Sequence, residues 1–138
     1  MDTQLSEHSP MQSLAGDAFV PDAEGGPVLI GGECEECGNL TYPRAAVCPV
    51  CMSEELQPVE MSREGILYSF TMVHVGPSHW KKPFALGYVD LPNGVRVFSH
   101  LRGDTIRIGC RMTLSTGELG HNPDGTTVTS FVFQPSET

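Results

Sequence analysis

The chain has 138 residues, of which 39% are hydrophobic, and a formal net charge of −9. This length suits one domain or two small domains that share an interface. No stretch approaches the 18 or more apolar residues of a membrane span, and Met1 to Pro10 lacks the basic and apolar regions of an export signal. We therefore expect a cytoplasmic protein that does not cross a membrane.

The negative charge is concentrated in the first half of the chain. Residues 1–60 contain eleven acids and one base, Arg44, whereas residues 61–138 contain six acids and seven bases. A nucleic-acid-binding protein needs a cationic face to displace counterions from phosphates. We therefore predict no nucleic-acid partner for the first half.

Residues 1–27 combine three prolines and three glycines with acidic and small residues. Such a composition cannot bury much apolar surface, apart from a short island at Phe19 and Val20. We predict a flexible or partner-ordered N-terminal arm, with one or two helical turns between Ser13 and Phe19.

Four cysteines with the spacing C-x2-C-x10-C-x2-C dominate the next segment: Cys34, Cys37, Cys48 and Cys51. Two such knuckles close a tetrahedron of thiolates, which is typical of structural zinc. Gly38 permits the positive φ that a knuckle often needs, whereas the second knuckle has Met52 at the equivalent position. We predict a zinc ribbon over residues 28–60. Disulfides would need an oxidising compartment, and a rubredoxin-type iron site would be coloured.

Residues 61–138 read as five strands separated by glycine and proline. The predicted strands are Ile66–Val75, Phe84–Leu91, Val95–Leu101, Thr105–Ser115 and Thr126–Phe133. The Pro92-Asn93-Gly94 sequence is a strong hairpin signal between the second and third. Five antiparallel strands in about seventy residues indicate a mainly β protein whose second part is a barrel of OB type.

Alternation in the fourth predicted strand separates two faces. The apolar face contains Ile106, Ile108, Cys110, Met112 and Leu114, so these side chains are expected to point inward. Cys110, the fifth cysteine, is therefore expected to be a small core residue and not a nucleophile.

The sequence contains no recognisable catalytic set. It lacks a Walker loop, G-x-G-x-x-G, G-x-S-x-G and H-E-x-x-H, and four of its five cysteines are assigned to the metal. His74 and His100 are expected on strand faces, in hydrogen-bonded structural roles. We therefore predict that the chain has no catalytic activity of its own.

The loop from Gly76 to Pro83 is the most informative segment of the second half. It places the only tryptophan beside the only two lysines: His79, Trp80, Lys81 and Lys82. An exposed tryptophan with adjacent ammonium groups suits a ligand with phosphates or a protein partner. The alternative is a tryptophan folded down as a lid on the barrel, with solvated lysines.

The order of these parts resembles the zinc-ribbon/OB-fold proteins that accompany acyl-CoA enzymes. The matching segments are Cys34–Gly38, Tyr42–Arg44, Cys48–Cys51, Gly65–Thr71, Pro83–Leu86 and Arg107–Gly109. The resemblance implies a non-catalytic subunit in a hetero-oligomer with a thiolase-fold or related aldolase enzyme, where the barrel helps to receive a CoA thioester. The partner would carry the reactive cysteine. The alternative function is a single-stranded nucleic-acid-binding OB-fold protein, which the acidic charge disfavours.

Overall fold

A computed structural model of the chain describes residues 11–13, 16–76, 78 and 80–136. The N-terminal part contains β1 (Met11–Ser13), a 3-10 turn (Gly16–Ala18), β2 (Phe19–Val20), β3 (Val28–Cys34), β4 (Leu40–Thr41) and β5 (Leu56–Glu60). The C-terminal part contains β6 (Glu64–Val73), β7 (Phe84–Asp90), β8 (Arg96–Leu101), β9 (Arg111–His121) and β10 (Thr127–Pro135). Within the described residues, no helix has the length and apolar character needed to cross a membrane.

Strands β6 to β10 form a closed barrel. Their order around the sheet is β10-β8-β7-β6-β9, and a further pairing of β9 with β10 closes the circle. All neighbours are antiparallel except β8 and β10, which pair in parallel through Val132 with His100 and Phe133 with Leu101. The predicted fold class is therefore confirmed: a cysteine-rich ribbon is followed by a five-stranded barrel.

The barrel interior is filled by alternate residues of its strands. The core cluster includes the following barrel residues, each at most 1% exposed: Leu67, Val89, Val97, Met112 and Phe133. At Gly87 two strands approach so closely that an added Cβ would lie 2.4 Å from the carbonyl oxygen of Ser69. The Pro92-Asn93-Gly94 hairpin is present, with the Gly94 N–H donating to the Leu91 carbonyl at 3.0 Å.

The fourth barrel strand differs from the prediction. It was expected at Thr105–Ser115, but the strand runs from Arg111 to His121. A turn precedes it, in which Gly109 has φ +93° and the Cys110 N–H donates to the Arg107 carbonyl at 3.0 Å. Ile108 is consequently 66% exposed and does not point inward. The alternating pattern continued through a turn, and two-residue periodicity alone cannot distinguish a turn from a strand.

The ribbon and the barrel share one hydrophobic core. β3 is the central ribbon strand, because it pairs with β2, β4 and β5. Leu29 of β3 and Met61, which follows β5, are buried in the same cluster as the barrel residues Phe131 and Phe133. The Met61 N–H donates to the Leu29 carbonyl at 2.9 Å. The ribbon is thus joined to the barrel by packing as well as by the chain.

Parts of the predicted arm pair with the rest of the molecule. β1 lies parallel to β10, and β2 pairs with β3. Phe19 is 4% exposed and contacts Phe131 at a centroid distance of 5.8 Å. Arg63 donates from Nε to the Pro27 carbonyl at 2.8 Å. Residues 1–10, 14 and 15 of the arm lie outside the described residues. The division of the chain into arm, ribbon and barrel at residues 27 and 60 stays a prediction.

Candidate functional site

The two cysteine knuckles have the same backbone hydrogen bonds. In the first, the Gly38 N–H donates to the Cys34 carbonyl, and in the second, the Met52 N–H donates to the Cys48 carbonyl, both at 2.9 Å. Each knuckle is closed by a second bond from its first cysteine's N–H, to Asn39 or to Ser53. These bonds fold each C-x2-C segment so that its two sulfurs face the other pair.

The structure brings the four predicted metal ligands together. The four Sγ atoms of Cys34, Cys37, Cys48 and Cys51 all lie within 4.8 Å of one another. Cys34 Sγ is 3.5 Å from Cys51 Sγ, and Cys37 Sγ is 3.6 Å from Cys48 Sγ. A tetrahedron with metal–sulfur bonds of about 2.3 Å has edges of about 3.8 Å, so the cluster fits a single ion. All five cysteines are free thiols, so the structure contains no disulfide.

A backbone hydrogen bond favours the thiolate at all four cysteines, but burial and contacts between the sulfurs leave two of the thiols acidic and two weakly acidic. The N–H of Cys37 lowers the pKa of Cys34 to about 6, although burial opposes the change. The N–H of Cys51 likewise lowers the pKa of Cys48. For Cys51 the N–H of Ser53 acts in the same direction, but the Cys34 sulfur and burial together outweigh it and raise the pKa to about 12. A metal held by four thiolates must therefore displace the protons that remain.

The second knuckle contains a strained residue. Met52 has φ +69°, in the left-handed region, where Gly38 of the first knuckle has φ +80°. A residue with a Cβ pays about 1–2 kcal/mol for this conformation, and glycine does not. The Met52 side chain is 73% exposed and so gains little from packing within this chain.

The tryptophan loop of the barrel is attached to β9 and borders a cavity. Trp80 pairs with Gly120, and the Lys81 N–H donates to the Leu119 carbonyl at 3.0 Å. The cavity has a volume of about 290 Å³, with Trp80, Phe84 and His100 on its apolar wall and Lys81, Arg102 and Glu118 among its polar lining residues.

The predicted loop residues take different positions around this cavity. Trp80 is half-buried, and its ring lies 6.0 Å from Phe84 and 5.8 Å from His100. Lys81 is exposed and 3.5 Å from Glu118. Lys82 donates to the Trp80 carbonyl at 3.1 Å and is not part of the cavity lining. His79 lies outside the described residues.

His100 was not predicted as a site residue. Within the part of the chain that the structure describes, its buried Nε2 has no hydrogen-bond partner, contrary to the structural role expected for this histidine. Burial lowers its pKa, so the imidazole is neutral at pH 7. His74 is exposed and follows the end of β6, so it lies on no strand face. Nothing in the spacing around His100 distinguishes it from a core position, because the cavity forms only when β8 meets the distant loop.

A second exposed surface consists of aromatic side chains on neighbouring barrel strands. Tyr88 and Phe98 are 42% and 52% exposed, with ring centroids 5.0 Å apart. The Arg96 guanidinium lies 3.5 Å from the Tyr68 ring centroid. Arg96 also pairs with Asp90 at 2.6 Å, which lowers the pKa of that carboxyl. Asp90 therefore neutralises the Arg96 charge beside these exposed aromatic side chains.

Cys110, the fifth cysteine, packs against the core beside a methionine. It is half-buried against the core, and its Sγ lies 3.4 Å from the Met112 sulfur. A nucleophilic thiol needs a neighbouring base or cation that favours the thiolate. The contact with a thioether provides neither, which agrees with the expected core role.

Comparisons with known proteins match both parts of the chain. Residues 25–57 match the family model described as the rubredoxin-like zinc ribbon domain of ChsH2, and residues 58–116 match the model of the ChsH2 C-terminal OB-fold domain. A benzoylsuccinyl-CoA thiolase subunit BbsA of Thauera aromatica is 37% identical over 110 residues, which cover 78% of this chain and 76% of that protein.

Two more distant relatives agree with this assignment. A DUF35 domain-containing scaffold protein of Methanocaldococcus jannaschii is 26% identical, over 79% of this chain and 82% of its own. Among solved structures, an Ltp2-ChsH2(DUF35) aldolase is similar with a TM-score of 0.64 and 29% identity, over 78% of this chain and 84% of that one. The resemblance expected from the sequence is confirmed.

Proposed function

Because this chain belongs to the ChsH2 family of zinc-ribbon and OB-fold proteins, we propose that it is a non-catalytic subunit of a thiolase-like, acyl-CoA-processing complex. In this complex it supports assembly with an enzyme partner and binding of a CoA thioester. The observation that carries the proposal is the 37% identity to a protein named as a thiolase subunit, over most of both chains. The comparisons lend no support to the nucleic-acid-binding alternative.

The four-cysteine cluster would hold one structural zinc ion. Its sulfur separations of 3.5 and 3.6 Å are close to the edges of a zinc tetrathiolate. Four protein ligands leave no position for water or substrate, so the ion would stabilise the ribbon without taking part in a reaction. Elemental analysis of the protein, purified without added metal, should find one zinc per chain and no visible absorption. A red protein that contains iron would contradict the assignment.

The cavity beside the tryptophan loop is the proposed contact with the thioester. Its volume of about 290 Å³ admits an acyl group or part of the pantetheine arm, but not a whole CoA molecule. The neutral His100 Nε2 could donate a hydrogen bond to a carbonyl oxygen, and the rings of Trp80 and Phe84 would cover the apolar part. Lys81 forms an exposed pair with Glu118, which contributes little, so its ammonium could exchange that partner for a phosphate.

Co-purification from the native host tests the proposed assembly. The tagged full chain should recover a thiolase-fold enzyme subunit in a fixed ratio, and thioester turnover should need both subunits. Recovery of the chain alone, or turnover of a CoA thioester by the isolated chain, would overturn the proposal.

Fluorescence of the single tryptophan tests the proposed cavity. In the isolated chain, acetyl-CoA should quench Trp80 in a saturable manner. The His100→Gln and Lys81→Gln substitutions should each weaken that binding. An Ile108→Ser control, exposed on a turn and outside the cavity lining, should leave it unchanged. Quenching that is linear in acetyl-CoA for every variant would argue against a binding site.

A further inference from the structure

The second knuckle presents an exposed apolar surface, which we call the knuckle tip: Val47, Val50 and Met52. These side chains are 38%, 66% and 73% exposed. They surround Cys48 and Cys51 in the sequence, so a metal ion would hold the tip in a fixed conformation. We propose that the knuckle tip docks into an apolar socket, rimmed by basic side chains, on the enzyme subunit. This inference rests on the proposed function for the existence of that subunit.

The strain at Met52 is the first argument for docking. Met52 is the only non-glycine with positive φ among the described residues. A glycine would make the same N–H to Cys48 hydrogen bond, as Gly38 does with Cys34 in the first knuckle. The methionine therefore raises the conformational energy of the knuckle, and most of its side chain remains exposed to solvent. A strained residue that keeps a large apolar side chain in solvent indicates a role outside the fold. Methionine is also well suited to irregular apolar sockets.

The surroundings of the tip define the partner's chemistry. Five exposed glutamates lie within four residues of a knuckle cysteine in the sequence: Glu33, Glu35, Glu36, Glu54 and Glu55. Glu54 and Glu55 follow Met52 after Ser53. The Glu35 N–H donates to the Glu55 carbonyl at 2.9 Å, which brings the first knuckle's acids beside the second knuckle. A zinc tetrathiolate would add further negative charge. An apolar tip with an acidic rim is complementary to an apolar socket with a basic rim.

A second copy of this chain offers a poor socket of that kind. Its ribbon half repels another ribbon half, since residues 1–60 contain a single base. Several cations of the barrel are already engaged within the chain. Arg96 pairs with Asp90 at 2.6 Å, and Arg111 pairs with Glu64 at 3.2 Å. A different protein with unpaired lysines and arginines is therefore the better match.

The decisive variant is Met52→Gly, because docking and folding predict opposite effects. Relief of the positive-φ strain should leave the thermal midpoint of the zinc-loaded chain unchanged or higher. Loss of a side chain buried in a socket should weaken binding to the co-purified enzyme subunit by about tenfold or more. Val50→Ser should weaken binding similarly. Ile108→Ser is the matched control, because Ile108 has the same 66% exposure on a barrel turn.

The acidic rim is tested separately by Glu54→Gln combined with Glu55→Gln. This pair should slow association with the enzyme subunit and make the rate less sensitive to salt, with little effect on dissociation. Treatment of the wild-type chain with a chelator should abolish binding, because the tip loses its fixed conformation.

Three outcomes would overturn the inference. If Met52→Gly binds the enzyme subunit as tightly as wild type, the tip is not a docking surface, although the proposed function survives. If the isolated chain forms dimers that Met52→Gly dissociates, the occupant is a second copy. If no enzyme subunit co-purifies at all, the proposed function fails and this inference fails with it.

Discussion

Replacing Phe19 by alanine tests whether arm, ribbon and barrel form one cooperative unit. Phe19 precedes the ribbon by nine residues, yet it is 4% exposed and lies in the same core cluster as Leu29, Phe131 and Phe133. If the core is shared, a change in the arm must destabilise a barrel that begins more than forty residues later in the sequence.

The magnitude follows from the area that the ring buries. A buried phenylalanine removes about 150–250 Å² from water, which at about 25 cal/mol per Å² contributes about 4–6 kcal/mol. Alanine retains part of this, and the contact of Phe19 with Phe131 at 5.8 Å adds about 1 kcal/mol. We expect Phe19→Ala to lower the free energy of unfolding by about 3–5 kcal/mol, the usual range for such changes.

Urea unfolding of the zinc-loaded chain provides the measurement, with two probes in one experiment. Trp80, the single tryptophan, reports on the barrel, and zinc release to a dye reports on the ribbon. With a slope of about 2 kcal/mol per molar urea, both midpoints should fall by about 2 M. Phe98→Ala is the control, since Phe98 is 52% exposed and its loss should cost about 1 kcal/mol or less. A Trp80 transition that is unchanged in Phe19→Ala would refute the shared core.

Three further predictions concern the metal, a buried histidine and a close strand contact. Removing the metal, or replacing the buried Cys48 by serine, should unfold the ribbon, because structural zinc contributes about 10 kcal/mol or more. The thermal midpoint of the Trp80 transition should also fall, because Leu29 of the ribbon belongs to the common core. Burial lowers the pKa of His100, so below about pH 6.5 the unfolded state binds a proton at this histidine more readily than the folded state, and the free energy of unfolding should fall as the pH falls. His100→Gln should reduce that loss of stability below about pH 6.5. His74→Gln, at an exposed position, should not. Gly87→Ala should prevent stable folding, measured by circular dichroism, because its Cβ would lie 2.4 Å from a backbone carbonyl oxygen that cannot move aside; Gly38→Ala, with no neighbour within 4 Å, should cost only about 1–2 kcal/mol for its positive φ.

The ribbon and most barrel strands were predictable because their signals are local. A knuckle is a turn of four or five residues, so cysteine spacing and Gly38 are enough to indicate it. The strand at Phe84 and the hairpin at Pro92-Asn93-Gly94 also depend on neighbouring residues, and both lie where they were expected.

The errors arise where the same local pattern fits two structures. Ile106 and Ile108 continue the alternation of β9 into the preceding turn, and only the pairing of Leu67 with that turn shows where the strand begins. The Gly109 N–H donates to the Leu67 carbonyl at 2.8 Å, and the Leu67 N–H donates to the Cys110 carbonyl at 3.0 Å. Those partners are more than forty residues apart in the sequence, so no periodicity within the segment contains the information.

The sequence by itself determined the four-cysteine cluster, the order of ribbon and barrel, and the family, because each depends on residue types at short and regular spacing. Only the tertiary structure decided that Phe19 of the arm completes the barrel core, that His100 meets Trp80 at a cavity, and that Met52 is held in a strained conformation with its side chain in solvent. These features depend on contacts between distant segments and on backbone angles imposed by the closed knuckle. Such contacts form only when the chain has folded, which is why the residues that carry them look ordinary in the sequence.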